Sequence, residues 1–495
     1  MNGGPEHSRR SHTAFVFVDP VSQYTRLLDR VIQEGLVPIC VLIHKLEGVK
    51  DAGEAERVAA SYHRTQPRFA HVLPAVSVTS AVERLQDVAD RESLEIVGVT
   101  AADSETGQEY ADLIAASLGV PHNVLSKLRS RRDKAQMKMA VMAAGLRCAK
   151  FTRCRSVESV SECMSGHVYP VVVKTPCGSG TTQVWVCHTE QQVRECVGEV
   201  LQRPDYFGRR AFFALIEEYL GGTEYAVNMF CTPLEVQVTD LWQYTKVETA
   251  KGVVMYRRAE LLDATDPKFA NMVQYAKGVA RAVGINLGPS HLEVKMEEGK
   301  EPVMVEIGAR LAGGWKSSLT MLVVPGWDAF KAIFNVFLGR DVLFPRTFRP
   351  TGSVFHCFCA LERGGYAKRI LGIEGIMKLA TYRGHVLHVE EGQYIQPTTD
   401  LFSHPLMVFL AGNGPFARAK VLEDEQRVHD LFQVEFDDTI DIGASLPEPH
   451  DDSDYEDEGN EKMIEDYGDA TEDGGSSSIS SSATSDSTSN ENSRR

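Results

Sequence analysis

Nowhere in the 495 residues does an apolar run approach the roughly 18 positions a membrane-spanning helix needs. The opening MNGGPEHSRRSH likewise lacks the apolar centre of a secretory signal. Ten cysteines occur, yet none falls in a Cys-x-x-Cys pair, and Cys357-x-Cys359 reads as strand alternation that turns both thiols to one face. Reduced thiols in a cytoplasmic protein are the expected state. Basic charge is also scarce. The formal net charge is −16, and fifteen acidic against three basic residues from Glu448 to Arg495 carry −12 of it, leaving −4 for the body. Nucleic acid and membrane are therefore not expected partners. No Gly-Lys-Ser/Thr closes a phosphate loop, and no GxGxxG opens a helix after a strand, which excludes the Walker and dinucleotide-binding loops. What remains, 43% hydrophobic and 24% charged, is the composition of a soluble globular protein with room for three or four packed units.

The segment HLEVKMEEGKEPVMVEIGARLAGG, from His291 to Gly314, carries the strongest chemical signal. With a strand's period of two, His291, Glu293 and Lys295 share a face, and a turn at Glu298-Gly299-Lys300 brings back a second strand with Glu306 almost opposite Glu293. Two carboxylates that close repel unless one holds a proton or a cation bridges them. Mg²⁺ favours one or two carboxylates plus phosphate oxygens, which makes Glu293 and Glu306 candidate metal ligands. Arg310 follows, a planar cation in a Gly-punctuated loop. Taken alone, the pair also fits the solvated face of an amphipathic hairpin.

Three upstream segments extend the pattern. YPVVVKTPCGSGTTQVWV, from Tyr169 to Val186, sets Lys174 at a strand end before a loop whose Gly178 and Gly180 can turn amide N–H groups toward an anion, with Ser179, Thr181 and Thr182 hydroxyls beside them. FFALIEEYLGGTEYAVNMF, from Phe212 to Phe230, reads as strand, connector and strand, with Glu217 and Glu218 ending the first and Glu224 following Gly221-Gly222. Such a connector can meet an adenine edge, and a carboxylate there can accept from ribose hydroxyls. RRDKAQMKMAVMAAGL places Lys134 on the first turn of a helix capped by Asp133. Each segment singly also fits ordinary surface structure.

As an ordered set, Asp133-Lys134, Lys174 before GSGTT, Glu217-Glu218-Tyr219-Leu220 with Glu224, and HxE followed by ExxxRxxGG resemble the ATP-grasp superfamily, specifically its carboxylate-amine ligases, over roughly residues 13 to 435. The pattern is most similar to L-amino-acid ligases and carnosine-synthase-like enzymes. The resemblance implies that Lys134 and Lys174 bind the ATP phosphates under a loop of Gly178, Ser179, Gly180 and Thr181. It further implies that Glu217, Glu218 and Leu220 recognise adenine, that Glu224 binds ribose, and that Glu293 and Glu306 hold Mg²⁺, with Mn²⁺ as a substitute. Arg310, with Lys174, is implied as catalytic. There are two departures: Gly308 stands where many members have a metal-ligating Asn, as is usual in the amino-acid ligases, and Gln183 replaces a frequent loop glycine. His291, on the metal face, and Trp315, just past Arg310, are candidate substrate contacts, with structural roles as the competing reading.

The expected architecture is multidomain, mixing α/β and α+β. A Rossmann-like parallel sheet at 13–125 comes first, then a two-lobed ATP-grasp domain with antiparallel sheets at 126–340 whose mobile lobe spans about 150–220, then a small C-terminal lobe at 341–443. The acidic, Ser-rich tail at 444–495 has too few apolar residues to offset ordering entropy and reads as disordered, with a partner-binding role open. The segment Leu241 to Arg258 lacks periodicity and reads as a loop, over an acidic substrate or merely exposed; Lys378 to Tyr382 reads as a strand. The expected activity is ATP-dependent joining of a carboxylate, that of an amino acid, to an amine through an acyl phosphate, giving a dipeptide or amide, in a protein of homodimeric or unknown assembly. The alternatives are an ATP-grasp carboxylase or formyl-phosphate ligase of nucleotide metabolism, and a nucleotide-binding regulatory protein without turnover.

Overall fold

The structure, a computed structural model, describes residues 12–21, 23–46, 52–178, 183–205, 208–248, 254–401 and 403–437. The expectations for Ser179, Gly180, Thr181 and the 444–495 tail lie outside the described residues.

The chain begins with β1 (His12–Val18), α1 (Tyr24–Gln33), β2 (Val37–Leu42), α2 (Ala52–Thr65), β3 (His71–Pro74), α3 (Val78–Glu92), β4 (Leu94–Thr100) and α4 (Gly107–Leu118). The four strands form a parallel sheet in the order β3-β2-β1-β4. Residues of β1 are apolar on both faces because helices cover both, as parallel sheets require. Ala14, Val16 and Val18 pack with Leu85, Val88 and Ile114 on one side. On the other, Phe15 and Phe17 join Leu27, Leu28 and Val31.

After α5 (Lys134–Ala143), β5 (Phe151–Cys154), α6 (Val160–Cys163), β6 (Val171–Lys174), β7 (Val184–Cys187), α7 (Glu190–Gln202) and β8 (Ala214–Glu218) build a small antiparallel sheet in the order β5-β8-β6-β7. It has its own apolar cluster, with Val171, Val173 and Ile216 against Val193, Val197 and Val200 of α7.

The third body, built on an eight-stranded antiparallel sheet, begins with β9 (Thr223–Cys231), β10 (Val236–Glu248) and β11 (Val254–Leu262), then α8 (Ala270–Ala282), β12 (Gly288–Met296), β13 (Val303–Gly308), α9 (Lys316–Met321), α10 (Ala329–Phe337) and β14 (Gly352–Cys359). The remaining elements are β15 (Gly365–Leu371), α11 (Ile373–Met377), β16 (Tyr382–Leu387), β17 (Tyr394–Ile395), β18 (Leu406–Asn413), α12 (Ala417–Leu431) and β19 (Gln433–Phe436). The sheet runs β13-β12-β9-β10-β11-β14-β18-β16, and β17-β15-β19 form a separate three-stranded sheet. Met272, Ala276 and Val279 of α8 cover one face of the large sheet. Ala226, Phe230 and Trp242 on its other face belong to the same apolar cluster as Phe15, Phe17 and Phe334, so the N-terminal unit and the large sheet share a core.

Two expectations need correction. Leu241 to Arg258 is not a loop: Leu241 to Glu248 and Val254 to Arg258 lie in paired strands, Leu241 opposite Leu262 and Thr245 opposite Arg258. Trp242 is fully buried and Tyr244 nearly so. Leu241 and Trp242, on opposite faces, are both buried, and Lys246 and Val247 follow partly or fully exposed, so burial does not alternate with a clean period of two. Lys378 to Tyr382 contributes only Tyr382 to a strand; the rest follows α11, which starts after Gly372 at φ 94°. From residues 341–443, β14, β16 and β18 continue the large sheet through β11.

Candidate active site

The site is built where β12 and β13 meet the first turn of α5 and the ends of β6 and β8. Gly299, at φ 74°, closes the hairpin, and the register sets Glu293 opposite Glu306 and His291 opposite Gly308. Burial alone would raise the Glu293 pKa, but the hydrogen bond from His291 and the charges of His291, Lys246 and Lys316 hold it down at about 2. Its carboxylate therefore stays ionised. Glu306 Oε2 accepts from Lys134 Nζ at 2.8 Å.

Lys134 reaches that position because Asp133 caps α5, its side chain accepting from the N–H groups of Ala135 and Gln136. The same ammonium donates to the Gly178 carbonyl at 2.5 Å, tying the start of the glycine loop to the carboxylate hairpin. Burial opposes its charge, yet Glu306 and Glu105 outweigh that and raise its pKa. Lys174 ends β6 and donates to Glu217 Oε2 at 3.0 Å; Lys138, fully buried, stands 3.2 Å from the same oxygen. Burial, with Lys138 and Lys134 nearby, pulls the Lys174 pKa down against Glu217. Lys134 and Lys174, with Lys138 buried behind them, thus set ammonium groups among these carboxylates, as a polyanion requires.

Arg310 donates to Glu105 Oε2 at 2.7 Å, and Arg132 donates to Oε1 of the same carboxylate at 2.7 Å. Glu105 follows β4 in the N-terminal unit, at the carboxyl end of a parallel strand where such sheets place ligand-binding groups. Burial would raise its pKa, but Arg310, Arg132 and Lys134 depress it well below the usual carboxylate range.

Farther along the cleft, Glu224 accepts from Lys246 at 2.9 Å, with Lys295 at 3.9 Å. Lys295 also donates to the Leu220 carbonyl at 3.2 Å. Gly222, φ 82°, makes the turn between, where a Cβ would lie 2.5 Å from the Met296 carbonyl oxygen. Glu218 is half-buried, held by Arg147 at 2.6 Å and by the Lys150 N–H at 3.0 Å. Below Glu293, Lys316 Nζ donates to the Gly313 carbonyl at 3.1 Å and sits 5.5 Å above the Tyr244 ring. Burial lowers its pKa to about 8 despite Glu293 and Asp240.

Of the residues singled out in the sequence, the fold joins Lys134 to Gly178 and Glu306, Lys174 to Glu217 and His291 to Glu293, sets Glu293 opposite Glu306, holds Arg310 on Glu105, and brings Leu220 and Glu224 together at Lys295. Glu217 faces the two lysines with its side chain. Trp315, at φ 59°, is buried in the large apolar cluster, so its indole packs the core. Gln183 takes the left-handed φ of 51° expected of the glycine it replaces, and donates from Nε2 to the Pro204 carbonyl at 2.9 Å. Sequence reading missed Glu105, Arg132, Lys138, Lys246, Lys295 and Lys316. Two left a signal: Lys138 is one helical turn from Lys134, and Lys295 shares the strand face of Glu293. Among the described residues no three His, Cys, Asp or Glu side chains enclose a metal site by themselves. A lysine ammonium seated on Glu306 shows that a cation fits there.

Comparison with known proteins places this geometry. Residues 167–319 match the ATP-grasp domain family. Dapdiamide A synthase of Enterobacter agglomerans is 27% identical over 325 residues, covering 63% of this chain and 75% of that protein. An L-arginine-specific L-amino acid ligase of Bacillus subtilis is 24% identical over 271 residues, 53% of this chain and 62% of the relative. The crystal structure of an L-amino acid ligase from Bacillus licheniformis superposes with a TM-score of 0.68 over 86% of this chain and all of that one, at 15% identity. The described residues contain no helix long and apolar enough to cross a membrane. Residues 167–319 thus carry an ATP-grasp domain, and the chain around it is similar to carboxylate-amine ligases of that family.

Proposed function

We propose that this protein joins the carboxylate of an amino acid to an amine at the expense of ATP, releasing ADP and phosphate and yielding a dipeptide or amide. The observation that carries the reading is the cluster in which Lys134 spans Gly178 and Glu306 while Lys174 and Lys138 flank Glu217. It presents cations to a phosphate chain beside two ionisable carboxylates in β-strand register.

In the proposed reaction, a substrate carboxylate oxygen attacks the γ-phosphorus in line and ADP leaves, giving an acyl phosphate. Lys134 and Lys174 bind and orient the phosphates, with the loop from Gly178 through Thr181 over them. Glu218 and Leu220 offer backbone groups to adenine, and Glu224 a carboxylate to ribose. A divalent ion, Mg²⁺ or Mn²⁺, would be held by Glu293 and Glu306 and would neutralise phosphate charge. Arg310, fixed in orientation by Glu105, is aimed to stabilise charge on the transferred phosphoryl group and then on the tetrahedral oxygen formed when the amine attacks the carbonyl. Phosphate leaves as the amide nitrogen gives up its proton. Exclusion of water from the cleft protects the acyl phosphate from hydrolysis. The division into units at 13–125, 126–340 and 341–443, a cytoplasmic location, and a homodimer are part of the same proposal.

A phosphate-release screen across amino-acid and amine pairs, with product masses read out, tests the reading. The expected result is ADP formation that requires both substrates and a product mass equal to their sum less water. Carboxylated or formylated product would favour the nucleotide-metabolism alternative, and tight ATP binding without ADP release under any pair would favour a regulatory protein. Glu306→Ala should abolish ADP formation with the fold retained by circular dichroism; wild-type turnover in that variant removes the metal assignment.

A further inference from the structure

The small sheet and its helices hold four cysteines. Cys154 and Cys187 are buried, while Cys163 and Cys196 are partly exposed. Cys187 ends β7 and Cys196 lies in the middle of α7, yet their sulfurs are 3.7 Å apart, the Cys187 thiol donating to the Cys196 sulfur. Cys154 and Cys163 instead share the Ser159 hydroxyl, 3.5 Å from the first sulfur and 3.8 Å from the second.

The approach of Cys187 to Cys196 is set by the turn between β7 and α7. Thr189 caps the helix, its hydroxyl accepting from the Gln192 N–H at 3.3 Å, and the His188 N–H donates to Gln192 Oε1 at 2.7 Å. Val193, Val197 and Val200 of α7 pack with Val171 and Val173 of β6, so apolar burial holds the helix where the cap directs it. A disulfide bond of about 2 Å is within a small side-chain rotation of this contact. One sulfur that solvent can reach, beside a second that is buried, is the arrangement in which the first is oxidised and the second resolves it.

We infer that Cys196 and Cys187 form a reversible oxidation site for hydrogen peroxide, Cys196 being the sulfur attacked and Cys187 the one that closes the disulfide. The Cys196 sulfur attacks a peroxide oxygen, the O–O bond breaks, and the leaving hydroxide takes the thiol proton and departs as water, which leaves a sulfenic acid. The Cys187 sulfur then attacks the Cys196 sulfur. The S–O bond breaks, and the hydroxyl departs as a second water with the Cys187 proton. Two thiols and one peroxide thus give one disulfide and two waters, and a thiol reductant reverses the change. Cys187 is opposite Val171 on β6, and Val184 of the same strand is opposite Lys174. The disulfide therefore fastens α7 to the hairpin that bears Lys174 at its other end.

The test exposes the full chain to dilute hydrogen peroxide, then maps joined peptides by mass spectrometry and follows backbone amide exchange. The expected result is a two-hydrogen mass loss located to Cys187 and Cys196, removed by dithiothreitol, with slower exchange in β6 and β7 of the oxidised protein. In Cys187→Ser the reaction should stop at a sulfenic acid on Cys196, trapped by dimedone, and in Cys196→Ser the buried Cys187 should stay unmodified. A disulfide through Cys154 or Cys163, a bridge between two molecules, or oxidation of Cys196 without any bridge overturns the pair. A Cys187–Cys196 disulfide with unchanged exchange overturns the fastening of the hairpin. None of these outcomes touches the ATP-dependent reading, which the phosphate-release screen tests separately.

Discussion

Lys316→Met measures what the cleft costs the fold. Lys316 is buried, and its pKa falls from an ordinary 10.5 to about 8 because burial outweighs the attraction of Glu293 and Asp240. In the unfolded chain the amine titrates near 10.4. Between those two values the unfolded chain binds the extra proton, so stability declines as pH falls from about 10 toward 8, and below 8 the full penalty is present. At pH 7 that penalty is ~3 kcal/mol, and at pH 9 ~2 kcal/mol. Methionine keeps the apolar stem and removes the charge, at the loss of a hydrogen bond to Gly313 worth about 1 kcal/mol. The variant should therefore be more stable than the parent by ~2 kcal/mol at pH 7 and by ~1 kcal/mol at pH 9. Urea unfolding at the two pH values, at matched ionic strength, reads both numbers, and turnover should drop at each. A variant less stable at pH 7, or a stability gap that does not narrow at pH 9, would refute the reasoning.

Arg310→Ala should lower turnover by two or more orders of magnitude while ATP affinity changes little; an unchanged rate would mean that Arg310 serves only as an ion-pair partner of Glu105. Glu105→Gln keeps the shape but leaves Arg310 and Arg132 facing a neutral amide, so a stability loss of ~3 kcal/mol by urea unfolding and a reduced kcat are expected; equal stability would show the two guanidiniums solvated elsewhere. Gly314→Ala, at φ 68° with a Cβ 2.6 Å from His356 Cε1, should destabilise by more than ~1 kcal/mol and slow the reaction through the Arg310 loop, and a neutral outcome in thermal melts would count against that close approach.

The hairpin from His291 to Gly308 was legible in the sequence because a period of two and a glycine turn determine register between neighbouring strands, and Glu293 does face Glu306. The first turn of α5 was legible for a similarly local reason, since Asp133 caps it. The partners of these residues were not. Glu105 reaches Arg310 from another unit, and Lys246 reaches Glu224 across the register of β9 and β10, pairings that exist only once the sheets are assembled. The misreading of Leu241 to Arg258 has the same origin: Leu241 and Trp242, buried on opposite faces, interrupt the alternation, and cations among aromatics resemble an exposed segment until Tyr256 is seen beneath Lys246.

The aromatic side chains under β1 also fill the space beneath α10, whereas the β5–β8 sheet is packed on an interior of its own. Rotation of the N-terminal unit against α10 would part Phe15 from Phe334. A displacement of the small sheet between Lys150 and Gly222 would leave that contact untouched.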